Sequence, residues 1–203
     1  MSCLSYISNI VVAGSAVTVA IVSIIGLKTW RKQLIGASRH ETARKVILAA
    51  LKTKRAIHRM RSPFGYSFEE EGLSSQRKLS SSAENREYRY AKRLKVLLAD
   101  DASAFELAAF EAEALWGKEA TDKTDLLQNC INDIYHAFNM YFSLANQAQT
   151  IHGMGEKLSQ KERDSMIHHG HILWWPGREK DEFGRQVKQA VKSIQGHFRK
   201  YLQ

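Results

Sequence analysis

From Leu4 to Leu27 the chain reads LSYISNIVVAGSAVTVAIVSIIGL, 24 residues without a charge. No other stretch restricts the fold so strongly. A helix needs about 20 apolar residues, at roughly 1.5 Å each, to cross the ~30 Å hydrocarbon core of a bilayer. Backbone polar groups in lipid must be paired within the segment, so a helix is the state such a run adopts there. A cleaved signal peptide carries positive charge before its apolar run. Here Lys28, Arg31 and Lys32 follow it instead. A run this long and uncharged at a chain terminus also argues against a buried core helix. The run is expected to be a transmembrane helix, with Asn9 near enough to its start for headgroups to solvate it. Lys28, Arg31 and Lys32, with Trp30 as an interfacial anchor, mark the cytosolic side. The expected topology is single-pass, with the N-terminus outside and the C-terminal domain in the cytosol.

Within the run, Ala13, Ala16, Ala20, Ser23 and Gly26 recur at spacings of three or four. Small residues at that spacing let two helices approach closely. They are the candidate helix-helix contact in the membrane.

Of the 203 residues, two are proline and twelve glycine, a composition that favours long helices. The net charge of +9 is unevenly spread. Lys28 to Ser62 holds eleven Lys/Arg against one acidic residue, Glu41, so it carries +10 and the remainder about −1. The basic balance therefore describes one segment. Beside a membrane span it has a sufficient role in contacting anionic headgroups, and nucleic acid is an unlikely partner. Arg55, Arg59 and Arg61 lie too far along a straight helix to reach lipid. Glu69–Glu71 or the acidic face around Glu106, Glu111 and Glu113 are expected to pair with them.

Helical periodicity runs through the rest. Ala43, Val46, Ile47, Ala50, Ile57 and Met60 form one face, and Ser62-Pro63 ends that helix, leaving Phe64 as an apolar plug. Residues 65–82, rich in serine, read as a loop. Glu84 to Trp116 reads as one helix or two, with Ser103 and Glu106 as a capping box for a second start and Gly117 as a C-terminal cap. Asp122 to Gln149, with Leu127, Ile131, Ile134 and Phe138, is apolar over a wide arc and is expected at the bundle centre. Ser159 with Glu162 opens a short helix to His169, the stretch 170–177 reads as an irregular connection, and Glu182 to Leu202 closes the chain as an amphipathic helix.

The fold class expected is all-α: a transmembrane anchor over 1–27, a basic juxtamembrane helix over 28–64, a flexible loop over 65–82 and an antiparallel cytosolic bundle over 83–203. Cys3 and Cys130 have no metal-type spacing. His168, His169 and His171 cluster, with His136 and His152 elsewhere, but no HExxH or cysteine pair supports a metal. No phosphate loop or nucleophile motif is present. The expectation is therefore no catalytic residue, no cofactor and no metal. Trp174 and Trp175 are the candidate partner contacts.

The run Trp30-Arg31-Lys32-Gln33-Leu34-Ile35-Gly36, then Ala43-Arg44-Lys45, Ala56-Ile57 and Arg61-Ser62-Pro63-Phe64, resembles a group of uncharacterised bacterial single-pass membrane proteins. In that group a span is followed by a W-R-x-Q-L-x-G element, a basic helix and an R-x-P-F stop. Ala114-Leu115-Trp116-Gly117 and the closing Asp181-Glu182-Phe183 helix are also similar. The resemblance implies a bacterial inner (cytoplasmic) membrane setting and an all-helical domain, and transfers no functional residue. The function expected is a membrane-anchored, non-enzymatic protein whose helical domain binds a protein partner or assembles with itself. The alternative is a small bacterial membrane effector, of phage-defence or toxin type, that oligomerises and perturbs the inner membrane. A metal- or nucleic-acid-dependent enzyme is the weaker third reading.

Overall fold

A computed structural model of the chain describes residues 3–62, 64, 82–153, 157–177 and 181–202, and within its helices it leaves aside the side chains of 3–13, 16 and 82–84. Pro63, the acidic run Glu69–Glu71 and the serine-rich loop up to Ser81 lie outside the described residues, as do the side chains of Ala13 and Ala16. All regular structure described is helical: α1 (Cys3–Met60), α2 (Ser82–Arg93), a π-helical stretch (Leu94–Ala99), α3 (Asp100–Trp116), α4 (Lys118–Gly153), α5 (Gln160–Leu173), α6 (Glu182–Phe198) and a 3-10 turn (Arg199–Tyr201). Contacts divide the chain into two units, Met1–Glu41 and Thr42–Gln203.

In the first unit, every described side chain from Gly14 to His40 is exposed. Among the described residues no helix is long and apolar enough to cross a membrane. The described residues therefore do not support the transmembrane helix expected over the uncharged run.

The second unit is a helical bundle around α4, which packs against α2, α3, α5 and α6. Helices α5 and α2 run antiparallel to it. Gln147 bonds Glu162 while Tyr141 faces Trp174 across α5. Asn146 bonds Glu87, and Phe138 stacks on Tyr90 of α2. The same logic makes α1 and α3 antiparallel, because Lys45 pairs with Glu111 and Thr53 with Asp101. The core takes Val46, Ala50, Ile57 and Met60 from α1, Leu127, Ile131 and Ile134 from α4, and Val187, Val191, Ile194 and Phe198 from α6. These are the positions their periodicity assigns to one face.

Several local expectations need correction. Ser103 and Glu106 do not start a helix: both are exposed mid-helix, and α3 leaves the π stretch directly with Ala99 and Asp100 in helical backbone. The buried series Tyr90, Leu94, Leu98, Ala102 advances in steps of four. An α-helix rotates such a series off its face, and the wider π turn brings it back. Helix α4 begins at Lys118, right after Gly117, whose φ of +60° and N–H bond to Glu113 O make it the break between α3 and α4. Helix α5 continues to Leu173, past the expected end at His169, so the irregular connection begins only at Trp174. Its capping box of Ser159 and Glu162 is present as expected. Phe64 is no plug; its side chain is 78% exposed, and its backbone is what is used, the carbonyl accepting from Arg93 and the N–H donating to Ser62 Oγ.

Candidate interaction surfaces

The end of α1 is held by two buried arginines. Arg61 Nη2 donates to Asp181 Oδ1 at 2.8 Å, to His171 O at 2.9 Å and to Trp174 O at 3.2 Å. Its guanidinium lies 5.0 Å from the centre of the Phe183 ring, and its own carbonyl accepts the Trp175 N–H. Arg93 donates to the carbonyls of Met60, Ser62 and Phe64. The Tyr90 hydroxyl donates to Leu173 O. Burial pushes the Tyr90 phenol far above its ordinary value, against the pull of Arg61 and Arg93, so it stays a neutral donor. Together these bonds set where the chain leaves α1 and α5. Arg61 was expected to pair with Glu69–Glu71 or the α3 acidic face; its partner is Asp181. The α3 face takes Lys45 instead, through Glu111.

This clasp splits the tryptophan pair. Trp174 packs edge-on against Tyr141, Tyr90 and Phe142, whereas Trp175 is 45% exposed. Trp174 also floors an open apolar groove of about 540 Å³, with Tyr141, Leu158, Met166, Ile167 and Pro176 on its walls and Arg163 and His171 beside them. Ile167 stands exposed at the groove.

A second concavity of about 510 Å³ gathers four imidazoles, His136 of α4 with His168, His169 and His171 of α5, opposite Asp133, Glu182 and Phe183. The His169 ring lies 5.4 Å from His136 and 5.2 Å from His168, centre to centre. His169 is buried with Nδ1 unpartnered. Burial, and then the neighbouring His168 and His136, hold its pKa below the ordinary value. The cleft thus sets one buried imidazole among three others, with two carboxylates at its edge. Among the described residues no group of three or more His, Cys, Asp or Glu is placed to hold a metal ion. Cys130 is buried beside this helix face, and burial, then Asp133, push its thiol up to about 11, which leaves it a poor nucleophile near neutral pH.

The remaining candidate residues all lie in the first unit. Lys28, Trp30, Arg31 and Lys32 are exposed, as are Ala20, Ser23 and Gly26. The chain matches no protein-family model, no curated protein and no solved structure.

Sequence reading overlooked the arginine clasp and the joining of His136 to the α5 histidines. The first has no local signal, since its partners come from four separate segments. The second had none either, because His136 lies off the α4 face that carries Ile134 and Phe138 and is exposed, and nothing local ties it to α5.

Proposed function

We propose that this chain is a membrane-anchored, non-enzymatic interaction module, with its first helix spanning a bilayer and the 42–203 bundle on the cytosolic side. One observation carries the reading. Val17, Val19, Ile21, Val22, Ile24, Ile25 and Leu27 are each at least half exposed and cover every side of α1. A helix that is apolar all round is stable only in apolar surroundings, and soluble surfaces rarely leave so large a patch bare. Its polar groups suit lipid as well. Thr18 donates to Gly14 O and Ser23 to Val19 O, so the hydroxyls are satisfied without water. Lys28, Trp30, Arg31 and Lys32 follow at the place where cationic and aromatic anchors sit. The resemblance noted above supports a bacterial inner membrane. The partner surface in this reading is the apolar groove and the bare Trp175.

Alkaline carbonate extraction of cell membranes tests the anchor. The protein should stay with the membrane pellet and leave it only in detergent; release into the carbonate supernatant sinks the proposal. Protease added to intact spheroplasts should spare the C-terminal domain. A photocrosslinker installed at position 175 should capture a partner or a second copy, and one installed at Lys188, outside the groove, should not.

A second reading, the membrane effector, draws on the exposed small-residue face of Ala20, Ser23 and Gly26, where a Cβ added at Gly26 meets nothing within 4 Å. Membrane potential and growth after induction separate the two, since an interaction module leaves both unchanged.

A further inference from the structure

Beyond the near-membrane cations lies a second basic feature that the anchor does not explain. Lys52, Lys54, Arg55, His58 and Arg59 line a groove of about 580 Å³ along α1, with Asp101 of α3 as the acidic wall among the described residues. We propose that this groove binds a small, multiply phosphorylated anion.

The argument is one of charge, shape and placement. Lys52, Lys54 and Arg55 around one concavity repel each other, and a multivalent anion relieves that repulsion at the moment of binding. Guanidinium and ammonium groups are the side chains that match phosphate oxygens, the first by paired donors and the second as a point charge. The groove is of the size that takes a small-molecule ligand, and among the described residues no aromatic ring other than His58 lines it. It therefore offers phosphate contacts without a platform on which successive bases of a nucleic-acid strand stack.

Buried structure holds the groove open. Thr53 between the lysines is fully buried and donates to Asp101 O at 2.9 Å, and Ala56, Ile57 and Met60 are in the core. The cations are thus carried on the outer face of a helix whose inner face is fixed. Lipid headgroups are a poor explanation for them. Lys52 lies 24 positions past Lys28, the first cation after the uncharged run. Only this last point rests on the membrane reading.

The test uses the full chain in detergent, or in nanodiscs of phosphatidylcholine alone so that no anionic lipid competes. Sodium tripolyphosphate, ATP and a 20-nucleotide single strand are titrated separately by calorimetry at low salt. Tripolyphosphate and ATP are expected to bind saturably with Kd below about 1 mM, and to weaken as salt rises. The exposed-face variant K52A/R55A/H58A should bind at least tenfold more weakly with an unchanged circular dichroism melt, while K28A/R31A/K32A should bind like wild type. Tighter binding of ATP than of tripolyphosphate assigns the ligand to nucleotides, and equal binding assigns it to phosphate chains; both support the proposal. Binding of the oligonucleotide alone, absence of binding by all three, or equal binding by K52A/R55A/H58A would overturn it. A protein that proves soluble without detergent defeats the membrane reading and leaves this titration intact.

Discussion

Arg61 and Asp181 stand 120 positions apart in sequence and meet at 2.8 Å, with the arginine side chain 4% exposed and the aspartate 18%. The same Asp181 oxygen caps α6 by accepting the Gly184 N–H at 2.9 Å. One carboxylate therefore fixes the start of the last helix and the end of the first. The contact is not free of cost, since Arg61 Nε is buried without a partner.

Removing one member of a buried pair strands the other. Arg61→Ala should cost roughly 3 kcal/mol, read as a lower urea midpoint by circular dichroism. Asp181→Asn should cost less, about 1 kcal/mol, because an asparagine oxygen still caps the helix. A loss in Asp181→Asn as large as that in Arg61→Ala would show that the ion pair, and not the cap, carries the stability.

Gly184→Ala reverses the usual sign. In a helix interior alanine is ordinarily favoured over glycine by about 1 kcal/mol. Here a Cβ would run into the Asp181 carboxylate, displacing the cap and its bond to Arg61. The melting temperature should fall, by roughly 3 °C for each kcal/mol lost in a domain of this size. A rise would mean that the carboxylate moves aside at no cost.

Acid should loosen the bundle through two histidines. Burial, then His168 and His136, keep the pKa of His169 below 6.5. Burial, then Lys200, do the same for His197, although Glu119 lies 3.5 Å from its Nδ1 and pulls the other way. That contact is therefore a neutral imidazole beside a carboxylate rather than an ion pair at neutral pH. In the unfolded chain both groups take up a proton near pH 6.5, and in the fold they resist it. Unfolding thus gains protons, so stability is full above pH 6.5 and declines as pH falls from there through the folded values. Urea midpoints should be lower at pH 5.5 than at pH 8, and His169→Gln should shrink the difference. An unchanged difference would remove His169 from the account.

The tryptophan neighbours should respond differently. Trp174→Ala takes a ring from between Tyr141, Tyr90 and Phe142 and should cost about 2–3 kcal/mol. Trp175→Ala, on an exposed side chain, should stay within about 0.5 kcal/mol. If Trp175→Ala is the more destabilising, the assignment of Trp175 to a contact surface fails.

What was legible in the sequence was local. The α4 and α6 stripes, the Ser159–Glu162 capping box and the Gly117 break all hold, because each depends on residues within about two turns of one another. The basic segment was legible only as a charge. In the fold it divides: up to His40 every described side chain is exposed, and from Thr42 one face is buried under α3. The Ser103–Glu106 cap was a false signal. Its residues have the right identity, but the chain enters α3 already helical, so no N-terminal N–H groups are left for them to bond.

By itself the sequence determined the all-helical class, the apolar faces of its helices and the uncharged run ahead of the basic one, because periodicity and capping act over a few residues and need no partner. Only the tertiary structure decided that Arg61 meets Asp181, that Trp174 is docked while Trp175 is bare, that four histidines share a cleft, and that five basic residues of α1 share a groove with Asp101. Those outcomes depend on which helices pack together and at what register. Register is set by the summed burial of the whole core, a quantity that no single segment contains.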